Sequence, residues 1–169
     1  NKISKSLPEK VNEEHWYGDK SIRIKLKVEC PVDLAMIDDN GEEWAYVNPA
    51  YIYNNNPYDG TFYHLGKNND AKMAFLQDKN FNVKLIGADK GVMKYTMSVL
   101  DSGNEIQRIV FEKIDITDTT VIYTNTDRFN SITLSVDTDN NGIIDYHVNP
   151  SYILTEDEID DLENIDTGE

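Results

Sequence analysis

Nine residues, Asp137-Thr138-Asp139-Asn140-Asn141-Gly142-Ile143-Ile144-Asp145, place oxygen-bearing side chains at the spacing D-x-D-x-N-G-x-I-D. Calcium takes about six to eight hard oxygen ligands, and side chains at loop positions 1, 3 and 5 converge when the backbone coils tightly. That assigns Asp137, Asp139 and Asn141 as side-chain ligands and Gly142 as the sharp turn at position 6. The backbone carbonyl of Ile143 follows at position 7, and Asp145 ligates at position 9, directly or through water. Ile144 is expected to point inward and pin the loop to the core. The competing reading is a solvated Asp/Asn/Gly hairpin turn that needs no metal.

At position 12 an EF-hand has a bidentate Glu, whereas this chain has Val148. Ser131–Val136 reads as a strand where an EF-hand has a helix. The segment instead resembles the isolated calcium loops of dockerin-type and thrombospondin type 3 repeats. The missing ligand has three candidate sources: Asp127, the Glu156–Glu158 cluster, or water. Few charged ligands imply a dissociation constant on the order of 10⁻⁴–10⁻³ M, the range of extracellular modules.

Other residue types invite chemistry but lack its spacing. G-x-S-x-G, H-E-x-x-H, G-x-x-x-x-G-K-[ST] and C-x-x-C are all missing from the sequence. His15, His64 and His147 are far apart, and Glu13-Glu14-His15 lies in a weakly patterned segment. Cys30, the one cysteine, sits on the apolar parity of its strand and reads as a small buried hydrophobe. No catalytic residue is assigned, and the chain is read as a non-enzyme. Tyr51, Tyr53, Tyr58, Phe62 and Tyr63 stand among Asn and Asp in residues 50–64. Tyr51, Tyr53, Tyr58 and Tyr63 are candidate carbohydrate-stacking rings; the alternative is that these aromatics cap an open end of the fold.

The elements that must hold these residues are short strands. Ile22, Ile24, Leu26 and Val28 alternate with Arg23, Lys25 and Lys27, the period of a half-buried strand. The same parity runs through Val32, Leu34 and Met36, interrupted by Pro31, which predicts a strand edge, a bulge or a switch between sheets. Asp38–Gly41 supplies a turn and Trp44–Val47 returns. Residues 48–70 read as a long loop with one short strand around Thr61–Leu65. Alternation resumes at Phe81–Leu85 and Met93–Val99, joined by the turn Ala88–Gly91. The turn Asp101–Asn104, Ile106–Ile114, Val121–Thr124 and Ile132–Val136 follow. Eight or nine strands at this spacing predict an all-β, antiparallel two-sheet sandwich, Ig-like or jelly-roll-like. One short acidic helix is expected at Thr155–Leu162, with Thr155 and Glu158 as a capping box. Val47-Asn48-Pro49-Ala50-Tyr51-Ile52 echoes Val148-Asn149-Pro150-Ser151-Tyr152-Ile153, too briefly to predict a duplication.

The expected organisation is a leading segment over 1–20, a sandwich over 21–150 and an acidic helix or linker over 151–169. Hydrophobic residues make up 39% of the chain and aromatics 10%, values that support a packed core over disorder. The net charge of −15 disfavours nucleic acid and anionic membrane. About half of it lies in Thr155–Glu169, which holds eight acids and no base. No apolar stretch is long enough for membrane insertion. The sequence begins without Met and ends in a linker-like charged segment, so a leader and neighbouring domains are expected outside it.

Three stretches resemble a β-sandwich module of large secreted proteins of low-GC Gram-positive bacteria. They are Val28-Glu29-Cys30-Pro31-Val32-Asp33-Leu34 with Asp38–Gly41, Phe75–Thr96 read as a hairpin, and Arg108–Ile114. The resemblance implies a noncatalytic accessory domain, extracellular or on the cell surface, whose partners are neighbouring domains of a larger chain. Two alternatives are a carbohydrate- or surface-binding module using the aromatics of 50–64 and a noncatalytic part of a secreted hydrolase.

Overall fold

The computed structural model describes residues 21–29, 31–65 and 71–166. The expected leading segment, Cys30 and His15 lie outside the described residues. Alternation in Ile22–Glu29 (β1) sends Ile22, Ile24, Leu26 and Val28 into the core and the lysines outward. The chain then changes sheets at Pro31, so that Val32–Ile37 (β2) belongs to the opposite layer. The Asp38–Gly41 turn, with Gly41 at φ 84°, delivers Glu43–Val47 (β3) as its hairpin partner.

Two antiparallel sheets face each other. The first has the order β13-β9-β8-β1-β6-β5, in which β5 is Gly60–Leu65, β6 Ala71–Gln77, β8 Gly91–Asp101, β9 Asn104–Ile116 and β13 Tyr152–Thr155. The second has the order β12-β11-β10-β7-β2-β3-β4, in which β4 is Ile52–Asn54, β7 Asn82–Gly87, β10 Val121–Asn125, β11 Leu134–Asp137 and β12 Tyr146–Val148. One continuous apolar core fills the space between them, with Leu26, Leu34, Leu76, Leu85, Met97 and Phe111 among its members. The all-β two-sheet sandwich is the fold that the alternation predicts.

Several expectations need correction. There are thirteen strands among the described residues, not eight or nine. Among the described residues of 48–70 there are two strands, β4 and β5. β6, unmarked by alternation, lies between β1 and β5 inside the first sheet. Its Ala74 and Leu76 face the core while Met73 on the other parity is also buried, so no period of two is visible. Lys72 shares a face with Val28, is 1% exposed, and places Nζ 4.0 Å from Oδ1 of Asp33 on β2. The Ala88–Gly91 turn joins strands of different sheets, so β7 and β8 are not a hairpin. The hairpin is β8–β9, closed by Ser102 and Gly103 at φ 51° and 90°.

The sheets also continue past residue 150, because β13 pairs with β9 along Val110↔Tyr152 to Gln107↔Thr155. The helix α1 (Glu156–Asp166) follows directly. Its capping box forms as expected: Thr155 N donates to Glu158 Oε1 at 2.8 Å and Glu158 N donates to Thr155 Oγ1 at 3.3 Å. Ile159 is buried where α1 packs on β9 and β13. The two Val-Asn-Pro echoes do different work. The first turns the β3–β4 hairpin, where Asn48 N donates to Tyr51 O at 3.1 Å. The second carries the chain from β12 in one sheet to β13 in the other.

Candidate metal centre

β11 ends at Asp137, opposite Val121 of β10. The chain then coils through 138–144, with Asn140 and Gly142 in the left-handed region at φ 56° and 87°. Nothing stands within 4 Å of a Cβ built on Gly142, so it is the positive φ, not crowding, that favours glycine there. The loop closes where Asp145 N donates to Val136 O at 2.7 Å, and β12 pairs back on β11. The segment is the connection of a β-hairpin at the edge of the second sheet. Thr119 Oγ1 ties it to the preceding turn by donating to Thr138 O at 2.9 Å.

Asp137 is 1% exposed, although the rest of the loop is solvated. Its Oδ2 accepts Gly142 N–H at 2.8 Å and its Oδ1 accepts Asn141 N–H at 3.2 Å. The carboxylate thereby folds the loop around itself. Asp145 Oδ2 accepts from Thr138 N at 2.8 Å and from Thr138 Oγ1 at 2.7 Å. The backbone bond first, and then the hydroxyl bond, hold its carboxyl below the usual carboxylate range. One carboxylate oxygen from each of Asp137, Asp139 and Asp145 lies within 4.8 Å of the others. Three like charges this close repel one another, and a hard divalent cation between them would relieve the repulsion.

The structure thus brings together three of the five assigned positions. Asn141 turns its Oδ1 onto Ile143 N–H at 2.8 Å and donates from Nδ2 to Asp139 Oδ2 at 3.3 Å. Ile143 stands at the loop surface, 65% exposed. Ile144 does not pin the loop inward, because it is 38% exposed; the buried Asp137 carboxylate does the anchoring instead. Val148, at position 12, pairs with Leu134 inside the hairpin. Asp127 sits at the other end of the β10–β11 hairpin, about 20 Å along the strand from the Val121–Asp137 pair at about 3.3 Å per residue. There it accepts from Phe129 N and Asn130 Nδ2. Glu156–Glu158 open α1 on the other sheet, where Glu158 serves the cap. Of the three candidate sources for further ligands, water is the one this placement leaves.

The aromatic candidates separate into three places. Tyr51 and Tyr53 lie on the β3–β4 hairpin with rings 6.4 Å apart and 12° from parallel. Tyr46, which alternation marks only as a strand residue, joins them at 5.6 Å from Tyr51. Its hydroxyl donates to Asp33 Oδ2 at 2.8 Å, and burial with that bond pushes the phenol up to about 12. Tyr58 stands exposed in the β4–β5 loop with the Lys79 ammonium 5.9 Å from its ring centre. Tyr63 meets Phe75 edge-on on the first sheet. Phe62 is buried against Trp44 and is unavailable to a ligand.

Register also creates a pair that spacing did not reveal. Ser135 and His147 face each other on β11 and β12, with Oγ 3.0 Å from Nδ1. A nucleophile–base pair needs a third group to orient the base. Among the described residues, Ser135 is the only hydrogen-bond partner of the His147 ring. It reads as a cross-strand contact. His64 lies half-buried on β5. Compared with known protein families, curated proteins and solved structures, the chain matches none.

Proposed function

We propose that this chain is a noncatalytic accessory β-sandwich of an extracellular or cell-surface bacterial protein, whose last hairpin is stabilised by one calcium ion. The observation that carries the reading is the convergence of the Asp137, Asp139 and Asp145 carboxylates, the first and third of them already set by loop hydrogen bonds. Ligation by these three with water is weak-to-moderate chemistry, suited to calcium-rich surroundings. The ion would fix the β11–β12 connection, and through β12 the crossing to β13 and the acidic helix. Neighbouring domains of a longer chain are the partners that this role implies.

A second reading has its own observation. The Tyr46–Tyr51–Tyr53 cluster, with Tyr51 54% exposed, offers ring faces suited to stacking on a sugar. Thermal melts decide on calcium: calcium raises the melting temperature, chelation reverses the rise, and a D139N/D145N variant shows none. A melting temperature independent of calcium in the unmodified protein would overturn the calcium reading.

A further inference from the structure

On the inner face of the first sheet, one row breaks the apolar pattern. Register sets His64 of β5 opposite Lys72 of β6, and Lys72 opposite the buried Val28 of β1. Residues directly opposite on antiparallel strands point to the same face. On β5, Gly60 and Phe62 share the parity of His64 and are buried, whereas Thr61, Tyr63 and Leu65 are exposed. His64 and Lys72 therefore both face the second sheet.

Asp33 meets this row from the other sheet. β1 ends with Glu29 opposite Ala71, so the change of sheet at Pro31 sets the start of β2 close to the start of β6. Lys72 Nζ stands 4.0 Å from Asp33 Oδ1, and the two residues are 1% and 8% exposed. The other carboxylate oxygen, Oδ2, accepts from the Tyr46 hydroxyl at 2.8 Å. A primary amine and a carboxyl group thus meet where the sheets adjoin, shielded from water, with two side chains nearby that can carry protons. Desolvation makes an ion pair in such a place costly, and condensation of the two groups removes both charges at once.

We propose that Lys72 and Asp33 join in an intramolecular isopeptide bond that fastens the two sheets together. A proton first passes from the ammonium to Asp33 Oδ1, leaving a neutral amine beside a neutral acid. The Nζ lone pair then attacks Asp33 Cγ. The Nζ–Cγ bond forms and the carbonyl pair moves onto Oδ2, where the hydrogen bond from Tyr46 stabilises it. His64 takes a proton from the attacking nitrogen and delivers it to the Oδ1 hydroxyl. The Cγ–Oδ1 bond breaks, one water leaves, and Oδ2 becomes the amide carbonyl oxygen, still accepting from Tyr46. Nothing is oxidised or reduced, and no co-reactant is needed. Reacting atoms meet at about 3–3.5 Å, a separation that the flexible lysine stem can reach from its present position. The link ties residue 33 to residue 72 and restricts the unfolded chain as a disulfide does, in a protein with one cysteine. The proposal goes beyond the calcium loop and does not rest on it.

The test is intact-mass spectrometry of the whole folded chain, held at neutral pH until its mass is constant. The chain is expected to be lighter than its sequence by one water, and tandem spectra of a tryptic digest to show one branched peptide joining Lys72 to Asp33. Lys72→Arg and Asp33→Ala are each expected to keep the full mass. A Y46F/H64Q variant is expected to gain the link at least about tenfold more slowly. The full sequence mass in the unmodified protein would leave a buried ion pair only and overturn the proposal. So would a lost water traced to another site, such as a cyclised Asp59–Gly60, or a Y46F/H64Q variant linked at the unmodified rate.

Discussion

Replacing Asp137 by Ala separates the architecture of the loop from its metal chemistry. In the absence of calcium the substitution removes an acceptor for Gly142 N–H at 2.8 Å and for Asn141 N–H at 3.2 Å. Hydrogen bonds to a charged group contribute about 1.5–3 kcal/mol each, but both donors sit in a solvated loop and can turn to water, so the loss is set at about 2–3 kcal/mol in total. For a chain of this length that lowers the melting temperature by about 4–12 °C. Adding calcium to about 10 mM should stabilise the unmodified protein by about 1.4–2.7 kcal/mol for dissociation constants on the order of 10⁻³–10⁻⁴ M. That is a rise of about 3–11 °C, and Asp137→Ala should lose it. Asp137→Asn keeps one carbonyl acceptor, so it should fall less without calcium yet respond to calcium nearly as poorly as Ala. Differential scanning calorimetry with and without calcium on the three proteins reads all six melting temperatures. An Ala variant that gains as much from calcium as the unmodified chain would refute ligation by Asp137. One that melts unchanged in chelator would refute its organising role.

Three further expectations concern the body of the sandwich. Asp78, fully buried, holds Arg128 through bonds of 2.8 and 2.9 Å; Asp78→Ala takes both of these bonds from the guanidinium and should cost about 3–5 kcal/mol in a urea titration. A Cβ on Gly87 would stand 2.0 Å from the Thr117 carbonyl oxygen, so Gly87→Ala should destabilise by about 3 kcal/mol or more unless the β9–β10 turn moves. The raised phenol of Tyr46 gives a signed pH dependence: the neutral form is favoured in the folded state, so its contribution is complete below about pH 10 and is lost as pH rises toward about 12. Ultraviolet titration should show a half-buried tyrosine ionising after the exposed rings, and Tyr46→Phe should remove that step.

The parts of the fold that alternation encodes were readable from the chain. Ile22–Val28 shows its period openly because one face meets the core and the other meets solvent. Pro31 marks the change of sheet because it cannot donate to a ladder. β6 was not readable, since its Ala71–Leu76 run is buried on both parities and hides a lysine, Lys72, in its interior. β4, β12 and β13 are three or four residues long and owe their pairing to distant partners, a tertiary effect that no local pattern records. At the candidate centre, the D-x-D spacing located the carboxylates that converge. It could not show that Asn141 Oδ1 is committed to Ile143 N–H, that Ile144 faces water, or that Asp127 lies at the far end of the hairpin. Those depend on where the strands lead.

The most direct measurement is a calcium titration of the ¹⁵N-labelled chain followed through its amide resonances. Saturable shifts centred on Asn141, Gly142 and Thr138, fitting one ion per chain with a dissociation constant on the order of 10⁻⁴–10⁻³ M, are what a calcium-held hairpin requires. Amides of the 137–145 segment that stay fixed through millimolar calcium would contradict it.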